Sequence, residues 1–252
     1  MNLPATGRPD TATPRHASVP VAGRRVPPEL AGVAVLALNN VAAHRLLPAP
    51  ADAALNLATA AGLAGYARRV GCSASDLGIR PTDVASGLRA GLTAAAVASA
   101  AVTLGAATPW TRPFFDNPRV RHASRGQVGY HLAVRIPLAT AFAEELLFRG
   151  ALLALLRRSR SRVAAIVWTS LLFGAWHVLP TLDDYQGNPT SALVDDPARR
   201  RRLAVLATTA STAAAGGALA WLRLRSRSLV APVLAHAALN ASAYLAGRWV
   251  AR

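Results

Sequence analysis

The stretch Ala141-Phe142-Ala143-Glu144-Glu145-Leu146-Leu147-Phe148-Arg149-Gly150 places two adjacent carboxylates and an arginine inside an apolar run that extends over about residues 128–156. The run is long enough to cross a membrane as a helix. Ionisable groups at membrane depth cost about 3 kcal/mol each by the lower estimates, so they normally face a protein interior or a water-filled cavity. The stretch therefore predicts a buried functional site or a structural ion cluster within a bundle of membrane helices.

Helix spacing separates the three charged residues. Glu145 and Arg149 are four residues apart, which places one above the other on a helix and lets the carboxylate pair with the guanidinium. Glu144 points about 100° away around the helix. The spacing predicts that Arg149 neutralises Glu145 while Glu144 stays available for chemistry. A purely structural cluster of all three charges is the alternative, and this stretch alone does not decide between the two.

The bulk composition indicates an integral membrane protein. Of the 252 residues, 52% are hydrophobic and 16% are charged, with a mean hydropathy of +0.28. The net charge of +16 comes from arginine without any lysine, and most arginines lie between apolar segments. This pattern is typical of loops on anionic lipid headgroups and lacks the basic face with interleaved aromatics that nucleic-acid binding needs. We expect a multi-pass protein of a bacterial plasma membrane that contacts the lipid bilayer and no nucleic acid.

Apolar segments divide the chain into a polar tail and a membrane domain. Residues 1–28 are rich in Pro, Thr and Arg without apolar periodicity, and we expect a disordered polar N-terminal tail. Residues 29–249 are predicted to form a transmembrane helical domain. The predicted spans are 29–47, 50–68, 84–107, 128–156, 163–179, 203–222 and 228–249. Seven is a minimum, so the predicted fold class is all-α, a polytopic membrane helical bundle of about seven to eight transmembrane helices.

Two of the later segments also carry polar groups on one helix face. Phe173 and His177 are four apart, as are His236 and Asn240. Each pair alone is more often a helix cap or a hydrogen bond between helices, worth about 1 kcal/mol. Together with Glu144, they supply a carboxylate base, imidazoles and an amide donor. That set of groups can activate water and stabilise an oxyanion.

Three motifs therefore follow one another along the chain: Glu144-Glu145-x-x-x-Arg149, Phe173-x-x-x-His177 and His236-x-x-x-Asn240. In type and order they closely resemble those of the CPBP intramembrane proteases, which include type II CAAX prenyl endopeptidases and bacteriocin-processing and immunity proteins. The resemblance covers roughly residues 70–245, with the catalytic core at about 128–245. It implies an all-helical membrane core and a glutamate-dependent endopeptidase that cleaves near the end of a substrate.

The resemblance also implies a role for each motif residue. These roles are water activation by Glu144 and His177, oxyanion stabilisation by His236 and Asn240, and structural support by Glu145, Arg149 and Phe173. We expect no metal cofactor, because no helix presents two good ligands within one turn and Asn240 is a poor zinc ligand. A divalent ion such as zinc, held by Glu144, His177 and His236, is the alternative.

The substrate is expected to be a peptide or a protein, and lipidated proteins are among the candidates. The alternative function is a non-catalytic membrane scaffold or a bacteriocin-immunity protein that uses its polar residues only for packing. A small transporter is a further alternative, but the chain shows no internal repeat of the kind that many transporter folds contain.

Overall fold

The computed structural model describes residues 26–48, 51–116, 118–183 and 194–251, and every regular element in these ranges is helical. The α-helices are α1 (Pro28–Arg45), α2 (Ala51–Arg69), α3 (Ala74–Leu77), α4 (Val84–Ala107), α5 (Pro118–Arg121), α6 (Arg125–Tyr130), α7 (Ala143–Glu145), α8 (Leu153–Leu156), α9 (Arg162–Trp176), α10 (Val178–Asp183), α11 (Pro197–Ser226) and α12 (Val230–Val250). The predicted all-α class is confirmed. The predicted disordered tail lies outside the described residues, except for positions 26–28.

Residues 125–156 follow one continuous helical path, which we call the central helix. Two π-helical segments, His131–Phe142 and Leu146–Leu152, alternate with α6, α7 and α8. The first contains Pro137, which has no backbone N–H to donate, and helices commonly depart from regular geometry at proline. From position 143 to position 156 every residue is buried. The second half of the central helix is therefore enclosed by its neighbours on all sides.

Neighbouring helices pack around the central helix in a bundle. α12 lies along α4, α11 lies along α9, and α2 contacts the central helix directly. The hydrophobic core contains Leu147, Phe148 and Leu152 of the central helix together with Phe173 and Trp176 of α9. Elsewhere large apolar side chains are exposed, among them Leu88, Leu92, Val97 and Leu104 of α4. Such contiguous apolar surface is typical of helices that face lipid.

Each of the seven predicted spans is occupied by helix, but the count of membrane crossings is supported only in part. Four helical stretches among the described residues are long and apolar enough to cross a membrane: Ala74–Ala107, Arg162–Asp183, Pro197–Ser226 and Val230–Val250. The central helix is long enough, yet Arg135, Glu144, Glu145 and Arg149 interrupt its apolar sequence. The total of seven to eight crossings stays a prediction.

Two boundaries differ from those predicted. The span predicted at 163–179 breaks where α9 ends at Trp176. A straight helix would bond the N–H of residue 180 to the carbonyl of Trp176, but Pro180 has no N–H. The Trp176 carbonyl instead accepts a hydrogen bond from Asn40 Nδ2 at 3.0 Å.

The span predicted at 203–222 begins earlier in the structure. The Asp196 side chain accepts a hydrogen bond from the backbone N–H of Ala198, and this cap starts α11 at Pro197.

Candidate active site

A fully buried ion pair stands at the centre of the bundle. Arg149 Nη1 donates a hydrogen bond of 2.8 Å to Glu145 Oε1, and both side chains are 0% exposed. The pair predicted from the four-residue spacing is therefore present. The Arg149 guanidinium also lies 4.0 Å from the centre of the Phe173 ring on α9. A cation over an aromatic ring is attracted by the electrons of the ring, which helps to compensate the burial of the charge. Since Phe173 belongs to α9, the contact also joins the central helix to α9.

Gly216 of α11 lets a third helix approach the same ion pair. A Cβ atom at this position would lie 3.1 Å from Arg149 Nη2 and 3.2 Å from Phe173 Cδ1. Both distances are shorter than an ordinary carbon contact, so the absence of a side chain is what allows α11 to pack here. A small residue at this contact is typical of closely packed membrane helices.

We expect Gly216→Val to destabilise the protein. The added side chain must displace Arg149 or Phe173, and overpacking of a tight core typically costs about 1–3 kcal/mol. Gly62→Val is the matched control, because it makes the same change within a helix where a Cβ meets no atom within 4 Å. The two variants should be compared by thermal melting in detergent. Equal melting temperatures would contradict the close packing at Gly216.

Glu144 lies next to the ion pair but does not belong to it. Its side chain is 10% exposed, and Oε2 has no hydrogen-bond partner among the described residues. It lines a cavity of about 160 Å³ together with His177, which is room for several water molecules. The other polar residues on the cavity wall are His44, Asp52, Asn56, Arg135 and Thr140. The arrangement places an uncommitted carboxylate oxygen beside a polar cavity.

His177 follows the last residue of α9, where its ring is held by the backbone. Its Nδ1 lies 2.8 Å from the Phe173 carbonyl oxygen, and a carbonyl can only accept, so Nδ1–H is the donor. The Phe173 ring packs edge-on against the imidazole with 4.7 Å between ring centres. In the neutral ring, Nε2 is then left as an acceptor. His177 can therefore accept a hydrogen bond from a molecule in the cavity.

His236 of α12 lies between the two glutamates and is 6% exposed. Its Nδ1 is 2.8 Å from Glu145 Oε1, and its Nε2 is 4.0 Å from Glu144 Oε2. Asn240, one turn further along α12, is half-buried, and its side-chain amide makes no hydrogen bond to another residue in the described ranges. Neither His236 nor Asn240 lines the cavity that Glu144 and His177 share.

The structure thus brings some of the predicted site residues together but not all of them. Glu144 and His177 share one cavity, while Glu145, Arg149 and Phe173 form the packed support beneath it. Asn240 is present on the predicted helix face but not on the cavity wall. The catalytic roles themselves stay predictions.

The sequence analysis did not predict the cavity residues that come from outside the three motifs. Arg135 Nη2 donates a 2.7 Å hydrogen bond to Asp52 Oδ2, and both residues line the cavity with His44. Arg135 carried a usable signal, because it is an arginine inside an apolar run, as Arg149 is. Asp52 lies on another helix and has no local spacing that relates it to the three motifs.

The residues named for the metal alternative are not gathered as a ligand set. In the part of the chain that the structure describes, no group of three or more His, Cys, Asp or Glu side chains is placed to hold a metal ion. His177 Nδ1 bonds a backbone carbonyl and His236 Nδ1 bonds Glu145, which leaves Nε2 as the free nitrogen of each ring. Metal-free chemistry and the zinc alternative with Glu144, His177 and His236 both stay predictions.

One region of the chain matches a known protein family. Residues 127–242 match the family model described as Type II CAAX prenyl endopeptidase Rce1-like. This region contains all three motifs, and the match confirms the resemblance to the CPBP intramembrane proteases. The matched region is shorter than the 70–245 expected from the motifs. No curated protein and no solved structure matches the chain.

Proposed function

From the match of residues 127–242 to the Rce1-like endopeptidase family, we propose that this multi-pass membrane protein is an intramembrane endopeptidase that cleaves a peptide bond near the membrane surface. One observation carries the proposal: Glu144, with an unpartnered carboxylate oxygen, shares a polar cavity with His177 inside a bundle of apolar helices. The substrate class is a peptide or protein segment, with or without a lipid.

In the proposed reaction, the Glu144 carboxylate takes a proton from a water molecule while His177 Nε2 accepts a hydrogen bond from the same water. The water oxygen forms a bond to the carbonyl carbon of the scissile peptide, and the carbonyl electron pair moves onto its oxygen. The carbon–nitrogen bond then breaks as the proton passes to the leaving amine. General-base assistance of this kind contributes typically about 10²- to 10⁴-fold to the rate.

The cavity environment suits this chemistry. Because the site lies among apolar helices, a carboxylate and its hydrogen bonds act in a low effective dielectric, where they are stronger than in water. Glu145 is already neutralised by Arg149, whereas the described residues place no arginine in an ion pair with Glu144. The two adjacent glutamates therefore take different roles.

A peptidase assay tests the proposal. The purified protein in detergent or liposomes is incubated with a peptide library, and products are identified by mass spectrometry. We expect cleavage at a defined bond. Binding of a protein partner without any cleavage would favour the non-catalytic scaffold or immunity alternative.

We expect Asn240→Ala to lower kcat by about 10²- to 10³-fold, because losing one oxyanion donor typically has that effect. The Asn240 amide makes no hydrogen bond within the described ranges and can donate without changing its protonation state. KM should stay within a few-fold, since the bond forms mainly in the transition state. If Asn240 only packs, the melting temperature falls slightly and kcat per folded molecule does not change. Measuring both quantities on one preparation separates the two outcomes.

A further inference from the structure

We infer that Glu145 is a positioning residue for His236: its carboxylate holds one ring nitrogen and leaves the other facing Glu144. The inference rests on the proposed endopeptidase function and extends it. The motif resemblance implied only structural support for Glu145. The geometry gives it a second task, which is to decide which nitrogen of His236 takes part in the reaction.

The contact is short and enclosed. Glu145 Oε1 lies 2.8 Å from His236 Nδ1 and also 2.8 Å from Arg149 Nη1. Arg149 Nη1–H can only donate, so Glu145 Oε1 acts as the acceptor at this point of the cluster. The His236 Nδ1 proton is therefore directed at Glu145. Both side chains are buried, so no solvent competes for that proton.

The fixed Nδ1–H has a chemical consequence for Nε2. In the neutral ring Nε2 carries a lone pair, so it can accept a proton but cannot donate a hydrogen bond to an oxyanion. It lies 4.0 Å from Glu144 Oε2. His236 can then act as an oxyanion donor only after it has itself been protonated.

This places His236 on the path of the proton. The proton that Glu144 removes from water passes to His236 Nε2 and makes the ring cationic, with Glu145 balancing the charge. The Nε2–H group then donates the proton to the leaving amine as the carbon–nitrogen bond breaks, and the ring returns to its neutral form. Glu144 ends as a carboxylate, and no proton is gained or lost by the site.

Two double variants isolate the positioning role. Glu145→Leu with Arg149→Met removes the ion pair and the acceptor together, and removing both partners avoids an unpaired buried charge. Glu145→Gln with Arg149→Met removes the same pair but retains an acceptor oxygen for His236. Both variants lose the ion pair equally, so a purely structural role predicts the same kcat for both.

The readouts are kcat, KM, the melting temperature and the ¹⁵N NMR signals of the histidine rings, with His236 assigned by the signal lost in His236→Phe. We expect Nδ1–H at His236 in the wild type and in the glutamine variant, and a mixture of tautomers in the leucine variant. The leucine variant should have a kcat lower by about 10²-fold with KM within a few-fold, since a misplaced histidine tautomer lowers kcat by as much as about 10⁴-fold in serine proteases.

Two results would overturn the inference: an unprotonated Nδ1 at His236 in the wild type, or equal kcat and equal ring signals in the two variants. If the wild type cleaves no peptide, the proposed function fails, while the ring signals still report whether Glu145 holds His236. The two failures are therefore distinguishable.

Discussion

Replacing Glu144 with glutamine should lower kcat by about 10²- to 10⁴-fold without unfolding the protein, because the amide keeps the size of the side chain but cannot take a proton from water. Glu144 Oε2 makes no hydrogen bond to a described residue, and its contact with His236 Nε2 is 4.0 Å long. Removing the charge should therefore break no hydrogen-bonded ion pair in the described structure. The ion pair beneath it joins Glu145 and Arg149 and remains intact in this variant. Activity and folding should therefore separate.

The measurement is kcat on a cleaved peptide together with thermal melting in the same detergent. Glu29→Gln is the matched control, because Glu29 lies outside the cavity at the start of α1, where it accepts a hydrogen bond from Ser159. This control should retain wild-type kcat. Full activity in Glu144→Gln would remove the glutamate mechanism from consideration.

The Arg149→Ala variant is expected to lose about 3–5 kcal/mol of unfolding free energy, the typical cost of leaving one partner of a buried ion pair without the other. Glu145 would remain at 0% exposure with no guanidinium beside it. The variant also loses the contact between the guanidinium and the Phe173 ring, 4.0 Å apart, and so loosens the joint between the central helix and α9.

Denaturation in mixed micelles measures this free energy. Arg45→Ala is the control, since its ion pair with Asp183 has side chains 41% and 42% exposed and such pairs are worth about 1 kcal/mol or less. Wild-type stability combined with lost cleavage in Arg149→Ala would place Arg149 among the reacting groups instead of the support.

Features that depend on neighbours along the chain were predictable from the sequence. The length and apolarity of each run predicted helices at all seven places where the structure has them. The pairing of Glu145 with Arg149 followed from the four-residue spacing, because helix geometry alone places these side chains together. The same spacing left Glu144 separate from the pair, and its Oε2 is unpartnered in the described structure.

Helix ends were less predictable, for a different reason at each of two boundaries. The apolar run through Trp176 continues past position 176, and its break rests on Pro180 together with a hydrogen bond from Asn40, 136 residues away in sequence. The start of α11 at Pro197 depends on a local cap by Asp196, which is visible in the sequence. The prediction began the span only after the four arginines that follow, because they are not apolar.

The partners of the candidate site were decided by tertiary structure alone. His236 reaches Glu145 across 91 positions of the chain, and Arg135 reaches Asp52 across 83. A repeat along one helix determines which face a residue occupies, but only the packing of one helix against another determines what that face meets. The sequence by itself therefore determined the helices, the internal ion pair and the candidate chemical groups. The tertiary structure decided which groups share a cavity and which nitrogen of His236 faces Glu144.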